Sequence, residues 1–427
     1  MSAAIILVLL LVLMLTGMPI SISLGLTVLT FLYTMTQVPI ESVALKLFTG
    51  IEKFEIMAIP FFILAGNFLT HGGVARRMIN FASSMVGHWY GGLGLAGVMA
   101  CALFAAVSGS SPATVVAIGA ILLPAMVRQG FPNKFGAGVI TTSGALGILI
   151  PPSIVMVMYS VSTNTSVGAL FMAGVAPGLL LAVFLGVTTW YRARKFDYPR
   201  QPKASWGQRL KAFKESAWGL FLIVVVMGGI YTGIFTPTEA AAMSAVYAFF
   251  VAVFVYKDLG MKDVPKVLLN SANMSAMLLY IITNAVLFSF LLTHENIPQA
   301  MADFMIGTGV GVIGFLIMAN ILMLVAGNFM EPSSIVLILA PILFPIAIKL
   351  GIDPVHFGII MVVNMEVGMC HPPVGLNLYV ASGITKMGIT ELTVAVWPWL
   401  LSMLAFLVLV TYWPGLSLFL PRALGMM

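Results

Sequence analysis

Charge is what this sequence lacks most. Asp, Glu, Lys and Arg together make up 8% of its 427 residues, against about 25% in soluble globular domains. Hydrophobic residues make up 60% of the chain and mean hydropathy is +1.08, so it reads as a polytopic membrane protein. Cysteine is scarce too. Cys101 and Cys370 both sit in apolar stretches, which argues against a disulfide framework and for two small buried hydrophobes. No basic run is interleaved with aromatics, so the formal charge of +6 does not mark a nucleic-acid surface. The first apolar run, residues 3–15, lacks the basic flank and small-residue cleavage site of a signal peptide, and reads as a retained membrane segment. Enzyme signatures are also missing, with no HExxH, GxSxG or GxGD-type pair. Gly92, Gly94 and Gly97 match a dinucleotide fingerprint in form only, because no strand precedes them. An enzyme is therefore not expected.

What the chain does contain is helix breaks at membrane depth. Asn364–Tyr379, NMEVGMCHPPVGLNLY, puts two prolines, two glycines, two asparagines, a glutamate and a histidine inside an apolar region. Pro372 and Pro373 remove backbone donors and clash with the preceding turn. Backbone freed in lipid is tolerated only where it is buried in protein or lines a polar cavity. Gly144–Tyr159, GALGILIPPSIVMVMY, repeats the outline with Pro151 and Pro152. Paired breaks in two halves of a membrane protein point to a transporter's binding site.

Apolar runs place spans at 3–16, 19–36 and 55–71, with a mixed, amphipathic segment at 40–53 that suits a membrane interface. A hairpin at about 91–127 follows, interrupted by SGSSPAT (Ser108–Thr114), then a broken helix at about 137–160 and a span at 166–190. Eight basic residues from Arg192 to Lys214 mark the one long hydrophilic connection. It divides a first repeat, 1–197, from a second, 215–427, across a basic segment at 198–214. The second repeat reads as spans at 216–233 and 238–256, a mixed segment at 257–270 and a span at 275–293. A hairpin at about 310–348 interrupted by Gly327–Ser334, a broken helix at about 356–383 and a span at 393–412 complete it.

The halves align at an offset near 220 residues: Pro19 with Pro237, His71 with His294, Pro112 with Pro332, and the two Pro-Pro pairs with each other. A repeat of this length indicates duplicated halves. Five crossings per half make the repeat inverted. With the 192–214 loop in the cytoplasm, sixteen of the twenty Lys and Arg residues fall inside, and only Lys46, Lys53, Lys349 and Arg422 fall outside. The positive-inside rule favours this arrangement, which puts the N-terminus outside. The expected fold is an all-α membrane protein of two inverted repeats, each with a re-entrant hairpin and a Pro-Pro-broken helix.

Broken helices expose carbonyls at one half-helix end, suited to Na+, and amides at the other, suited to a carboxylate. Hairpin tips add the hydroxyls of Ser108, Ser110, Ser111, Thr114, Ser333 and Ser334, and the amides of Asn328, Asn364 and Asn377. That chemistry suits a Na+-coupled transporter of an organic anion, and the symmetry implies at least two cation sites. A channel would need a ring of ligands repeated about a pore axis, which two pseudo-symmetric halves do not supply.

GSSPAT, GILIPPSIVMVMY, GIYTGIFTPTEAA (Gly229–Ala241), AGNFMEPSS and VNMEVGMCHPPVGLNLY resemble the large membrane subunit of TRAP transporters, the tripartite ATP-independent periplasmic transporters, of the DctM type. The resemblance covers essentially the whole chain. It implies an elevator-type secondary transporter in a bacterial inner membrane, with a scaffold and a transport domain, driven by Na+ and without an organic cofactor. It also implies a small four-helix membrane subunit, expected here as a separate chain, and a periplasmic binding protein that delivers a carboxylate substrate. Membrane lipid surrounds the assembly. Carried onto this chain, a first Na+ site would use Ser108, Ser110, Gly144, Gly147 and Ile150, and a second Gly327, Glu331, Gly368 and Met369. Ser153, Thr163 and Asn377 would contact substrate. Dicarboxylate members carry an aliphatic residue and Thr before the second Pro-Pro pair, where this chain has Cys370 and His371. That departure tilts the expectation slightly to sialic acid, with C4-dicarboxylates (malate, succinate, fumarate) as the alternative.

Other polar residues have plainer readings. Glu331 and Glu366 lie at membrane depth, where an ionisable group is a functional hypothesis by default. Glu239 fits the first turn of a helix as a dipole partner. His71 and His294 occupy equivalent span ends and read as interface residues.

Overall fold

The computed structural model describes residues 2–426 apart from 308, 310 and 373. Regular structure among the described residues is entirely helical, in twenty α-helices. Among the described residues, eight helical segments are long and apolar enough to cross a membrane, from Phe54–His71 to Ile389–Tyr412.

Both hairpins and both broken helices form. The first hairpin pairs Gly92–Ser108 with Ser111–Arg128. Its tip is tighter than the expected Ser108–Thr114 interruption, because Gly109 turns the chain at φ +62° and Pro112 sits in the first turn of the next helix, where no amide donor is needed. The second hairpin pairs Val312–Gly327 with Pro332–Lys349, and its expected start at residue 310 lies outside the described residues. In the first broken helix, Asn133–Gly144 tightens to a 3-10 turn at Ala145–Ile148 and resumes as Ile154–Thr163. The second runs Pro354–Cys370 and then Leu376–Thr385. Pro372 falls in that break, while Pro373 lies outside the described residues.

Several boundaries differ from the sequence reading, each for a local reason. The mixed segment at 257–270 and the span at 275–293 fuse into one helix, Val264–His294. No glycine interrupts those 31 residues and their one proline is in the first turn, so nothing breaks a rod about 46 Å long. In the first repeat Gly50 and a 3-10 turn at Phe54–Met57 separate Ile40–Thr49 from Ala58–His71. The basic connection is partly helical. Ser205 and Gln208 form a capping box that starts Trp206–Tyr231, and this carries Arg209, Lys211 and Lys214 into the helix. Three short helices escaped the hydropathy reading: Val74–Val86, Ile297–Gly307 and Pro414–Ala423. They are too short or too mixed to look like spans.

Two sets of elements emerge from the long-range contacts. A frame is tied by Asn67 Nδ2 donating to Ser271 Oγ at 2.8 Å, by Thr238 Oγ1 donating to the Phe54 carbonyl at 3.2 Å, and by Phe68 edge-on to Phe249 at 5.4 Å. A core holds the hairpins and broken helices. There Trp399 Nε1 donates to Thr189 Oγ1 at 2.8 Å, Tyr159 OH to the Pro354 carbonyl at 2.7 Å, and His356 Nδ1 pairs with Ser417 Oγ at 2.7 Å.

Candidate functional site

Each hairpin tip meets the break of its own repeat at a glycine. A Cβ on Gly147 would lie 2.6 Å from the Ser110 carbonyl oxygen and 2.8 Å from the Ser111 Cα. One on Gly368 would lie 2.8 Å from the Gly327 Cα. Only glycine allows backbones to approach this closely. Gly144 packs one turn earlier, against Val115 of the hairpin arm.

The first tip is a small hydroxyl network. Ser108 Oγ and Thr114 Oγ1 lie 2.9 Å apart, and both donate to the Ser110 carbonyl, at 3.4 and 2.9 Å. The frame helix Ala58–His71 presses on this tip, since a Cβ on Gly66 would sit 3.1 Å from the Ser108 carbonyl oxygen. Ser108, Ser110, Gly144 and Gly147 thus come together. The Ile150 side chain packs on Gly178 of Val167–Lys195, where a Cβ would lie 2.6 Å from the Ile150 Cγ1.

The second tip is fastened by Asn328. Its side-chain oxygen pairs with His371 Nδ1 at 2.9 Å, and its carbonyl accepts the Gly375 amide at 3.3 Å. Gly375 takes φ +56°, and a Cβ there would meet the carbonyl oxygens of Met369 and His371, each at 2.8 Å. Those two carbonyls therefore converge beside the Gly327–Gly368 contact. Glu331 is the N-cap of its own helix, with Oε1 accepting from Ser334 N at 3.0 Å and Ser334 Oγ at 2.9 Å. Its carboxylate caps the helix that leaves the tip, while Glu239 pairs with Thr236 in a capping box at the start of the frame helix Pro237–Phe250.

The three residues expected to contact substrate have partners within the protein. Ser153 Oγ donates to the Ile148 carbonyl at 2.6 Å and caps Ile154–Thr163 by accepting from Met156 N. Thr163 Oγ1 donates to the Tyr159 carbonyl and lies 2.8 Å from Thr165 Oγ1. Asn377 Nδ2 donates to Ser111 Oγ at 2.8 Å and to the Thr141 carbonyl at 3.3 Å, and that carbonyl also accepts from Cys370 Sγ at 3.5 Å. Asn377 is fully buried and joins the second broken helix to the first hairpin and the first broken helix.

Asn320, Thr411 and Thr141, which the sequence reading passed over, complete the core. Asn364 Nδ2 donates to Asn320 Oδ1 at 2.7 Å, and Asn320 Nδ2 donates to Thr411 Oγ1 at 3.1 Å. Asn320 and Thr411 were findable as polar residues in otherwise apolar helices. The role of Thr141 was not, because it acts through its carbonyl. Glu366 is wholly buried, and among the described residues neither carboxylate oxygen has a hydrogen-bond partner. Among the described residues no cluster of three His, Cys, Asp or Glu side chains could hold a metal ion. Carbonyl and hydroxyl oxygens at the tips and breaks are what remain for a hard monovalent cation.

Comparison with known proteins agrees with this architecture. The family model described as "Tripartite ATP-independent periplasmic transporter, DctM component" matches residues 7–416. A C4-dicarboxylate TRAP transporter large permease protein DctM from Rhodobacter capsulatus is 78% identical, over 100% of both chains. A sialic acid TRAP transporter large permease protein SiaM from Vibrio cholerae is 36% identical, over 95% of both chains. Among solved structures, the Alcanivorax borkumensis YdaH transporter aligns at a TM-score of 0.64 with 16% identity, covering 91% of this chain and 89% of that one, a likeness of fold alone. The chain belongs to the DctM family and is a large permease subunit of a tripartite ATP-independent periplasmic transporter.

Proposed function

We propose that this subunit carries C4-dicarboxylates inward across a bacterial inner membrane, coupled to at least two Na+ ions and moving by an elevator mechanism. A periplasmic binding protein delivers the substrate and a small four-helix subunit completes the membrane part. The N-terminus lies in the periplasm and the 192–214 segment in the cytoplasm. One Na+ is held by the Ser108–Ser110 tip against Gly144–Ile150, the other by Gly327–Glu331 against Gly368–Met369.

The observation that carries the substrate class is the 78% identity to a relative named for C4-dicarboxylates, against 36% to one named for sialic acid. This reverses the expectation drawn from Cys370 and His371. Both side chains hold the second break, one on the Thr141 carbonyl and the other on Asn328, so their identity reports on packing there rather than on substrate. The Na+ reading rests on the two glycine contacts, where the tip carbonyl oxygens of Ser110 and Gly327 lie 2.6 and 3.4 Å from where a Cβ on Gly147 and Gly368 would be.

The test is uptake by the reconstituted complex, with the small subunit and the cognate binding protein present. Labelled succinate should accumulate, unlabelled malate or fumarate should compete with it, and sialic acid should not. Competition by sialic acid alone would overturn the assignment.

A further inference from the structure

Frame and core touch through many apolar contacts but share very few polar ones. Let the frame be Ile20–Val86 with Trp206–His294, and the core Gly92–Lys195 with Val312–Ala423. Among the described residues, two side-chain hydrogen-bond contacts cross to the core. Lys349 of the core donates to Asp303 of Ile297–Gly307, the helix that follows the frame, at 3.0 Å, with both side chains exposed, and from the frame itself only Lys53 reaches across. Lys53 Nζ donates to the Val161 carbonyl at 2.6 Å and to Asn164 Oδ1 at 2.7 Å.

Both ends of this contact are held in place. The frame end directly precedes the Phe54–Met57 turn, whose Phe54 carbonyl accepts from Thr238 Oγ1. The core end is the C-terminus of the first broken helix. Asn164 ends it in the left-handed region at φ +55°, a conformation that asparagine tolerates better than most residues. Helix C-termini leave carbonyls unpaired, and a cation placed there satisfies them. Beside the contact lies a cavity of ≈ 470 Å³. Lys53, Phe235 and Pro237 line it from the frame, and Ser160, Thr165 and Ser166 from the core. Frame and core thus leave a space beside Lys53, and the lysine reaches across its edge.

We propose that Lys53, with Val161 and Asn164, is a clasp that fixes the first broken helix to the frame in this conformation and must open for the core to move. It rests on the alternating-access reading above. An elevator core slides past its frame, so a charged hydrogen-bonded bridge across that boundary cannot persist through the cycle. Long, flexible lysine suits the role, because its head can return to water when the partners part.

Two measurements on the complete transporter in proteoliposomes test the clasp. In the first, Lys53→Cys and Asn164→Cys are joined by a cleavable bifunctional thiol reagent that spans a lysine side chain. Cys101 and Cys370 are buried and do not compete. Joining should stop uptake, and cleaving the reagent should restore it. Uptake at the unjoined rate after joining would overturn the proposal. The second leaves Asn164 unchanged and needs no substrate, so it stands even if the substrate or the Na+ coupling is wrong. Lys53→Met should speed amide hydrogen exchange at residues 161–166 by about tenfold, the effect of losing a hydrogen bond to a charged group, and Lys53→Arg should not. Unchanged exchange in Lys53→Met would also overturn it.

Discussion

Gly327 and Gly368 meet backbone to backbone: a Cβ on Gly368 would fall 2.8 Å from the Gly327 Cα, and one on Gly327 would fall 2.9 Å from the Gly368 Cα. No flexible side chain lies between them to give way. Gly368→Ala must therefore separate the second hairpin tip from its break, at a cost of ~1–3 kcal/mol for overpacking. The expected outcome is a lower thermal midpoint and uptake reduced at least about tenfold. Uptake and melting at parental values would show that the contact has slack.

The first repeat offers an ordering test. Ser108→Ala removes one hydroxyl from a network in which Thr114 still reaches the Ser110 carbonyl, a loss of ~0.5–1.5 kcal/mol. Gly147→Ala would instead place a methyl 2.6 Å from that same carbonyl oxygen. If backbone oxygen holds Na+, titrating uptake against Na+ should give a larger rise in half-saturation for Gly147→Ala than for Ser108→Ala. The opposite order would assign the cation to the serine hydroxyl.

Asn377 gives a stability prediction. Its amide serves Ser111 Oγ and the Thr141 carbonyl from a fully buried position. Asn377→Ala strands the buried Ser111 hydroxyl and leaves the Thr141 carbonyl with Cys370 Sγ alone among its side-chain partners, costing ~1–3 kcal/mol. Asn377→Asp should be worse, because it turns a donor into a charged acceptor facing the Thr141 carbonyl. Thermal unfolding in detergent reads the order parent, Ala, Asp from most to least stable. An aspartate variant as stable as the parent would mean that the amide donates nothing.

Glu366 should behave in the opposite way. Both of its oxygens are buried with no hydrogen-bond partner among the described residues, and a buried polar group with no partner opposes folding. Glu366→Gln should then melt no lower than the parent. A loss of more than ~1 kcal/mol would reveal a partner for the carboxylate.

Much of this arrangement was legible in the sequence because lipid restricts the options. Pro151, Pro152 and Pro372 at membrane depth forced broken helices, and the repeat offset that matches Pro112 with Pro332 and the two Pro-Pro pairs placed each hairpin tip beside a break. Hydropathy could not see where a helix continues through a polar stretch, as in Val264–His294, or where a short amphipathic helix such as Val74–Val86 turns the chain. Residues acting through the main chain were hidden as well. The Thr141 carbonyl gathers Cys370 and Asn377, and no side-chain pattern announces that. Cys370 and His371 misled for a related reason: they stand next to the break and look like recognition residues, yet their partners are the Thr141 carbonyl and Asn328.

Na+-coupled carboxylate transport through the two tip-and-break contacts is the central claim, and one measurement addresses it directly. Proteoliposomes holding the complete transporter, with loaded binding protein outside, are given labelled succinate under an inward Na+ gradient. The same vesicles are then assayed with choline replacing Na+ at equal ionic strength and membrane potential. Succinate should accumulate above the outside concentration with Na+, and accumulation should collapse to background with choline. Equal accumulation in both media, or passive equilibration at channel-like rates, would contradict that claim.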